Sequence, residues 1–230
     1  MKRRTFISLM SVMAAAGVLT LASCSNSSSS TAASGTAASV APAAGDQLSN
    51  IQSSGKLIVA LEGAWQPWSY HDESDTLVGY DVEVSRAIAE KLGVEPEFVE
   101  INWDTKETEL AAKSIDCIWN GMTLTDDIMA NAATTKAYAK NAQVVVVKES
   151  TAYTSTADLI GKTVVAEAGS AGETTITENA DLSQADFISK AVQTDCLMEV
   201  AAGTADAAVL DLTLASAMIG EGTDYANLKM

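Results

Sequence analysis

The chain has 230 residues, 47% hydrophobic and 19% charged, with a formal net charge of −16 at pH 7. That length and balance suit a folded soluble body of one large domain or two small ones, and so acidic a surface repels nucleic acid and anionic head groups, which excludes nucleic acid as a partner. A single His and three Cys without a Cys-x-x-Cys pair leave no metal-ligand spacing, so no metal and no cofactor is expected.

Residues 1–23 have the form of an export signal. Lys2-Arg3-Arg4 leads into an apolar stretch, 6–22, too short and too weakly flanked to be a retained span. It ends in Leu21-Ala22-Ser23-Cys24, which resembles the bacterial lipoprotein box. The resemblance implies cleavage before Cys24 and a lipid on its sulfur, holding the protein at the outer face of the cell membrane. Residues 24–50 are Ser/Ala-rich and are expected to be a flexible tether.

From residue 55 the pattern alternates strand and helix. Strands are expected at 57–61, 96–101, 117–119, 144–147, 163–166, 185–189 and 207–210, and helices at 81–92, 107–112, 173–179, 195–202 and 212–219. Gly93 is the stop signal of the 81–92 helix. Such alternation implies parallel α/β sheets. Two segments repeat: Gly55-Lys56-Leu57-Ile58-Val59-Ala60 matches Gly161-Lys162-Thr163-Val164-Val165-Ala166. The run Glu109 to Asp116 likewise matches Glu199 to Asp206, each a helix end leading through an Asp into a strand. Both pairs in one order argue for two lobes of similar plan, 51–143 and 144–230, with strand 144–147 as the crossover. Asp116 and Asp206 are expected to be structural. Cys117 and Cys196 are read as buried thiols, a bridge between them being the alternative.

The stretch Cys117-Ile118-Trp119-Asn120-Gly121-Met122-Thr123-Leu124-Thr125 organises the body. An apolar strand breaks at Asn120-Gly121 and offers Thr123 and Thr125 before a helix. Backbone N–H groups and hydroxyls then converge outside the carboxyl ends of the strands, where ligands of open α/β sheets sit.

These residues, with Trp65-Gln66-Pro67-Trp68, Gly79-Tyr80-Asp81-Val82-Glu83, Trp103-Asp104, Tyr138, Gly169-Ser170 and Ala205-Asp206-Ala207 with Asp211, resemble the family 3 extracellular solute-binding proteins. These are the polar amino-acid receptors of ABC importers. The resemblance implies a type II periplasmic-binding-protein fold, two α/β lobes closing on a ligand by hinge motion. It places Glu62 and Asp211 at a ligand ammonium, Trp65 and Trp103 around its side chain, and Gly121, Thr123 and Ser170 at its carboxylate. It implies an amino acid or related amine as ligand, ABC permease subunits as partners, and a monomer. An enzyme similar to the cyclohexadienyl dehydratases and a sensory ligand-binding domain are the alternatives.

Three departures qualify the match. Ile128 stands where the family usually carries an Arg for the carboxylate, and only Lys136 or Lys140 offers a replacement. Glu167 adds a third carboxylate to Glu62 and Asp211, so the ligand is expected to be cationic or to lack an α-carboxylate. By the same resemblance the second lobe is expected to be incomplete, the return to the first lobe missing after Met230.

Overall fold

The computed structural model describes residues 44–230. The expected signal, Cys24 and the tether up to residue 43 lie outside the described residues.

The first described element is a helix, α1 (Ala44–Ser54), which corrects the expectation of a tether reaching residue 50. Its composition carries almost no helix-face signal, and tertiary contact supplies what the pattern lacks. Ile51 packs with Leu57, Val59, Ala89 and Val94, and Gln47 Nε2 donates to the Asp116 carbonyl at 3.1 Å.

The first lobe is built on β1 (Lys56–Leu61). After it a small antiparallel sheet forms from β2 (Ala64–Trp65), β3 (Ser69–His71) and β4 (Leu77–Val78). Helix α2 (Tyr80–Leu92) follows, with Asp81 and Glu83 in its first turn, where negative charge complements the helix dipole. It stops at Gly93, whose φ of 74° is a left-handed conformation that costs glycine nothing. Then come β5 (Glu95–Glu100), α3 (Lys106–Ala112), β6 (Cys117–Ile118) and α4 (Asp126–Asn131). The main sheet runs β5-β1-β6, with β1 parallel to both neighbours.

Residues 132–142 lead into the second lobe, which opens with β7 (Gln143–Lys148). It continues with β8 (Thr163–Glu167), α5 (Ala171–Glu178), β9 (Asp186–Lys190), α6 (Gln193–Ala202), β10 (Ala207–Asp211), α7 (Leu212–Met218) and β11 (Leu228–Lys229). Its sheet runs β11-β7-β10-β8-β9. Strand β8 is parallel to both neighbours, as β1 is, and β7 runs antiparallel to β10 and β11.

The repeat legible in the sequence is therefore a repeat of position: each copy supplies the middle strand of three parallel strands. The two aspartates do the same work in each lobe. The Asp116 carboxylate accepts from the Ile58 N–H at 2.9 Å, and Asp206 accepts from Thr163 N–H at 3.0 Å. Their own N–H groups donate back to the carbonyls of Ile58 and Thr163, both at 2.9 Å. Each Asp thus ties the start of the third parallel strand to the start of the first.

The lobes meet directly. Trp65 and Trp68, from the first, are buried in one cluster with Leu197, Leu210 and Leu214 of the second. Trp68 Nε1 donates to Thr213 Oγ1 at 3.1 Å. Cys117 and Cys196 are both free thiols, and burial pushes each up to about 12, so neither is a ready nucleophile. Among the described residues no helix is long and apolar enough to cross a membrane.

Candidate functional site

A cavity of about 150 Å³ lies between the lobes, at the carboxyl ends of the parallel strands. Each wall follows from local chain geometry. Trp65 enters from β2, whose pairing with β3 holds it at 4% exposure. Trp103 opens a 3-10 turn, Trp103–Thr105, capped by Asn102, whose side chain accepts from the Asp104 N–H at 3.0 Å. Both rings reach the cavity.

The loop after β6 forms a second wall. Gly121 has φ 56°, and a Cβ there would stand 3.0 Å from the Trp68 ring, so glycine is required twice over. Its N–H donates to the Tyr138 hydroxyl at 3.1 Å. Tyr138 in turn donates to Asp81, which is fully buried, at 2.9 Å. Burial pushes Asp81 up to about 6, against the pull of its hydrogen bonds. Thr123 lines the cavity, and its Oγ1 accepts from Asn141 Nδ2 at 3.4 Å. Thr125 caps α4 through the Ile128 N–H at 3.2 Å.

The second lobe supplies the third wall. Ser170 caps α5: its Oγ accepts from the Glu173 N–H at 3.3 Å and donates to the Glu167 carbonyl at 2.7 Å. Gly169, Ser170 and Ala171 line the cavity at the helix start, where first-turn N–H groups have no intrahelical partner. Asp211 ends β10 and is held by three amides. Gln143 Nε2 donates at 2.7 Å, Gln193 Nε2 at 2.5 Å, and Asn141 Nδ2 also donates. Gln193 Oε1 accepts from the Asp211 N–H as well, fixing the residue from both sides.

Six of the seven expected residues thus face one cavity: Trp65, Trp103, Gly121, Thr123, Ser170 and Asp211. Glu62 does not. It is 4% exposed and lies behind the wall, where Asn120 Nδ2 donates to its carboxylate at 2.9 Å and its other neighbour is Glu167. The resemblance carried the residue type but not the long-range pairing with Asn120, which holds both the Glu62 N–H and its carboxylate. Glu62 and Glu167 meet carboxyl to carboxyl. Burial raises both carboxyls, and the Glu62 charge raises Glu167 further, up to about 10, so the pair shares a proton at neutral pH.

The sequence reading missed Lys106. It stands at the first turn of α3, is 6% exposed, and lines the cavity. Its ammonium donates to the Trp103 carbonyl at 3.2 Å and, across the cleft, to the Gly169 carbonyl at 2.8 Å. It also lies 4.8 Å from the Trp103 ring centroid. Burial lowers its pKa, while Glu107, Asp104, Glu167 and Glu62 oppose that shift. The i, i+3 spacing from Trp103 was the available signal. Lys136 and Lys140, the replacements considered for the absent Arg, are exposed and off the cavity wall. Ile128 does line the cavity. Of the three carboxylates expected in the cleft only Asp211 lines the cavity; Glu62 and Glu167 are buried off it, while Glu107 and Asp127, which were not expected, line it together with Lys106.

Among the described residues no group of His, Cys, Asp and Glu is arranged to hold a metal ion. Residues 57–214 match the profile of the bacterial extracellular solute-binding proteins, family 3. The L-cystine-binding protein TcyA of Bacillus subtilis is 37% identical over 120 residues, 52% of this chain and 45% of that protein. A solved mutant of the arginine-binding protein of T. maritima superposes with TM-score 0.74 at 31% identity, covering 80% of this chain and 79% of the other. An ancestral amino acid-binding protein, a precursor of cyclohexadienyl dehydratase, superposes with TM-score 0.70 at 28% identity over 74% of this chain and 76% of its own. The chain spans about half the length of the curated relatives it matches. A profile match over most of the chain, on two α/β lobes flanking a cleft, leads to one assignment: the chain belongs to the bacterial extracellular solute-binding proteins, family 3.

Proposed function

We propose that the protein captures an amino acid in the interlobe cavity and delivers it to the permease subunits of an ABC transporter. It works as a monomer outside the cytoplasm, held to the cell membrane by lipid on Cys24. The reading is of a binding module rather than an enzyme. The observation that carries it is the cavity itself. Asp211, the buried carboxylate of the cavity wall, meets a ligand ammonium, with the exposed Glu107 and Asp127 also lining the space. Thr123 and the α5 start at Ala171 offer donors to a carboxylate, while Ser170, bonded to the Glu167 carbonyl, shapes that helix start. Trp65 and Trp103 flank the space for a side chain. A buried carboxylate, hydroxyl and helix-start donors, and two aromatic rings around one cavity are the complement of an amino acid's three handles. The names of relatives that bind L-cystine or arginine support the same class.

Thermal unfolding against the twenty amino acids tests it. A ligand at about 100 times its dissociation constant is expected to raise Tm by roughly 5–10 °C. No stabilisation by any amino acid would sink the proposal.

A further inference from the structure

The feature that the proposed binding role does not absorb is the buried ammonium in the cavity wall. Lys106 is not a surface lysine folded inward. Two backbone carbonyls, of Trp103 and Gly169, hold its Nζ in place at 3.2 and 2.8 Å. One of these comes from its own turn and the other from the facing lobe. Its charge lies 4.8 Å from the Trp103 ring centroid. A ligand's own cationic group gains a cation–π contact from such a ring, and Lys106 already makes that contact with Trp103.

We infer that Lys106 is a specificity-determining residue: its tethered ammonium takes the place of a ligand cation beside Trp103, so the cavity rejects lysine- and arginine-like side chains and accepts neutral ones. The inference rests on the proposal that the ligand is an amino acid. Three observations carry it. First, a second cation brought within about 5 Å of the Lys106 charge meets repulsion worth on the order of 100-fold in affinity, at an effective dielectric near 20. Secondly, the buried carboxylates are already engaged. Glu62 accepts from Asn120 and faces Glu167, while Asp211 accepts from three amides and remains to meet the α-ammonium. No further carboxylate is left deep in the cavity for a side-chain cation. Thirdly, Ile128 turns an apolar surface to the same space. Glu107 and Asp127, both exposed, also line the cavity and disfavour an anionic side chain; solvent screens their attraction for a cation more than it screens the repulsion from the buried Lys106, which leaves the neutral class.

The test is calorimetric titration of the chain from Cys24 onward, carrying Cys24→Ser, with L-arginine, L-lysine and a panel of neutral amino acids. Lys106→Gln keeps a donor for the two carbonyls and removes the charge. Lys106→Met removes both, and Lys106→Arg keeps the charge. The unsubstituted chain is expected to bind one or more neutral amino acids and to bind L-arginine and L-lysine at least about 100-fold more weakly. Lys106→Gln and Lys106→Met are each expected to gain about 10-fold or more in affinity for L-lysine or L-arginine, and Lys106→Arg is expected to gain nothing. Circular dichroism confirms that each variant is folded, and Lys106→Gln decides the matter if Lys106→Met does not fold. If the unsubstituted chain prefers L-arginine or L-lysine, or if a neutral amino acid binds and Lys106→Gln leaves the preference unchanged, the inference is overturned while the amino-acid reading stands. If no amino acid binds the unsubstituted chain or any variant, both are overturned.

Discussion

The two lobes share a frame and differ where that frame meets the cleft. In each, a Gly-Lys turn starts the central parallel strand, and an Asp ties that strand to the third one. Aligned on this repeat, Leu61 at the end of β1 corresponds to Glu167 at the end of β8, and Gly121 beyond β6 corresponds to Asp211 at the end of β10. Leu61 is fully buried core, whereas Glu167 is a buried acid. The first lobe therefore brings the aromatic walls, Thr123 and the Lys106 ammonium to the cavity, and the second brings the buried Asp211 carboxylate and a helix start. The lesson is that the interior of a repeated sheet is conserved by packing, while its strand ends are free to diverge because only the ligand constrains them.

The largest expected effect breaks the asymmetry at Asp211. Asp211→Asn keeps the shape but removes the charge facing the cavity, and affinity for the amino-acid ligand should fall by about 100-fold in calorimetry. An unchanged affinity would remove Asp211 from the ligand's ammonium.

Glu167 gives the next effect. It stays protonated in the fold up to about 10 but ionises near its ordinary value once unfolded. The folded state therefore binds more protons between its ordinary value and about 10, and stability falls as pH rises through that window. Asp81, pushed up to about 6, adds to the same slope between about pH 4 and 6. Glu167→Gln should flatten the slope above pH 6 in urea unfolding, and a slope that stays unchanged would show that the buried proton is elsewhere.

The two aspartates test whether the repeat is energetic as well as geometric. Asp116→Ala and Asp206→Ala each strip the acceptor from one strand N–H, and each should cost about 1–2 kcal/mol. Costs differing by more than about 1 kcal/mol would mean that the two clamps are not equivalent.

The smallest effect lies at the paired helix ends. Lys113 and Gly203 both end a helix in left-handed conformation, with φ 58° and 83°. Only the glycine is at ease there, so Lys113→Gly should stabilise by about 0.5–1 kcal/mol in the same measurement.

Legibility in the sequence followed the range of the forces involved. The strand at 144–147 was plain as four consecutive valines, the 81–92 helix by its apolar face and Gly93, and the Gly121 and Thr123 loop by its break after an apolar strand. Helix α1 was missed because Ile51 is its main apolar anchor, and what it packs on lies in other elements. The small sheet β2-β3-β4 was missed because strands of two or three residues carry no period. Gln193 was missed because its pairing with Asp211 joins the start of α6 to the end of β10, with no local pattern to mark it.

Through the resemblance it carries, the sequence named six of the cavity residues; by itself it determined the alternation of strand and helix and the doubled plan. These depend on short-range causes: side-chain periodicity, glycine stops and strand-end loops that a repeated frame brings to one side. Only the tertiary structure decided the charge of the cavity. Whether Glu62 faces it, whether Glu167 keeps a proton, and whether Lys106 offsets both depends on how two facing lobes exclude water and share carbonyls. Burial and charge coupling act between groups far apart in the chain, and no spacing along the sequence records them.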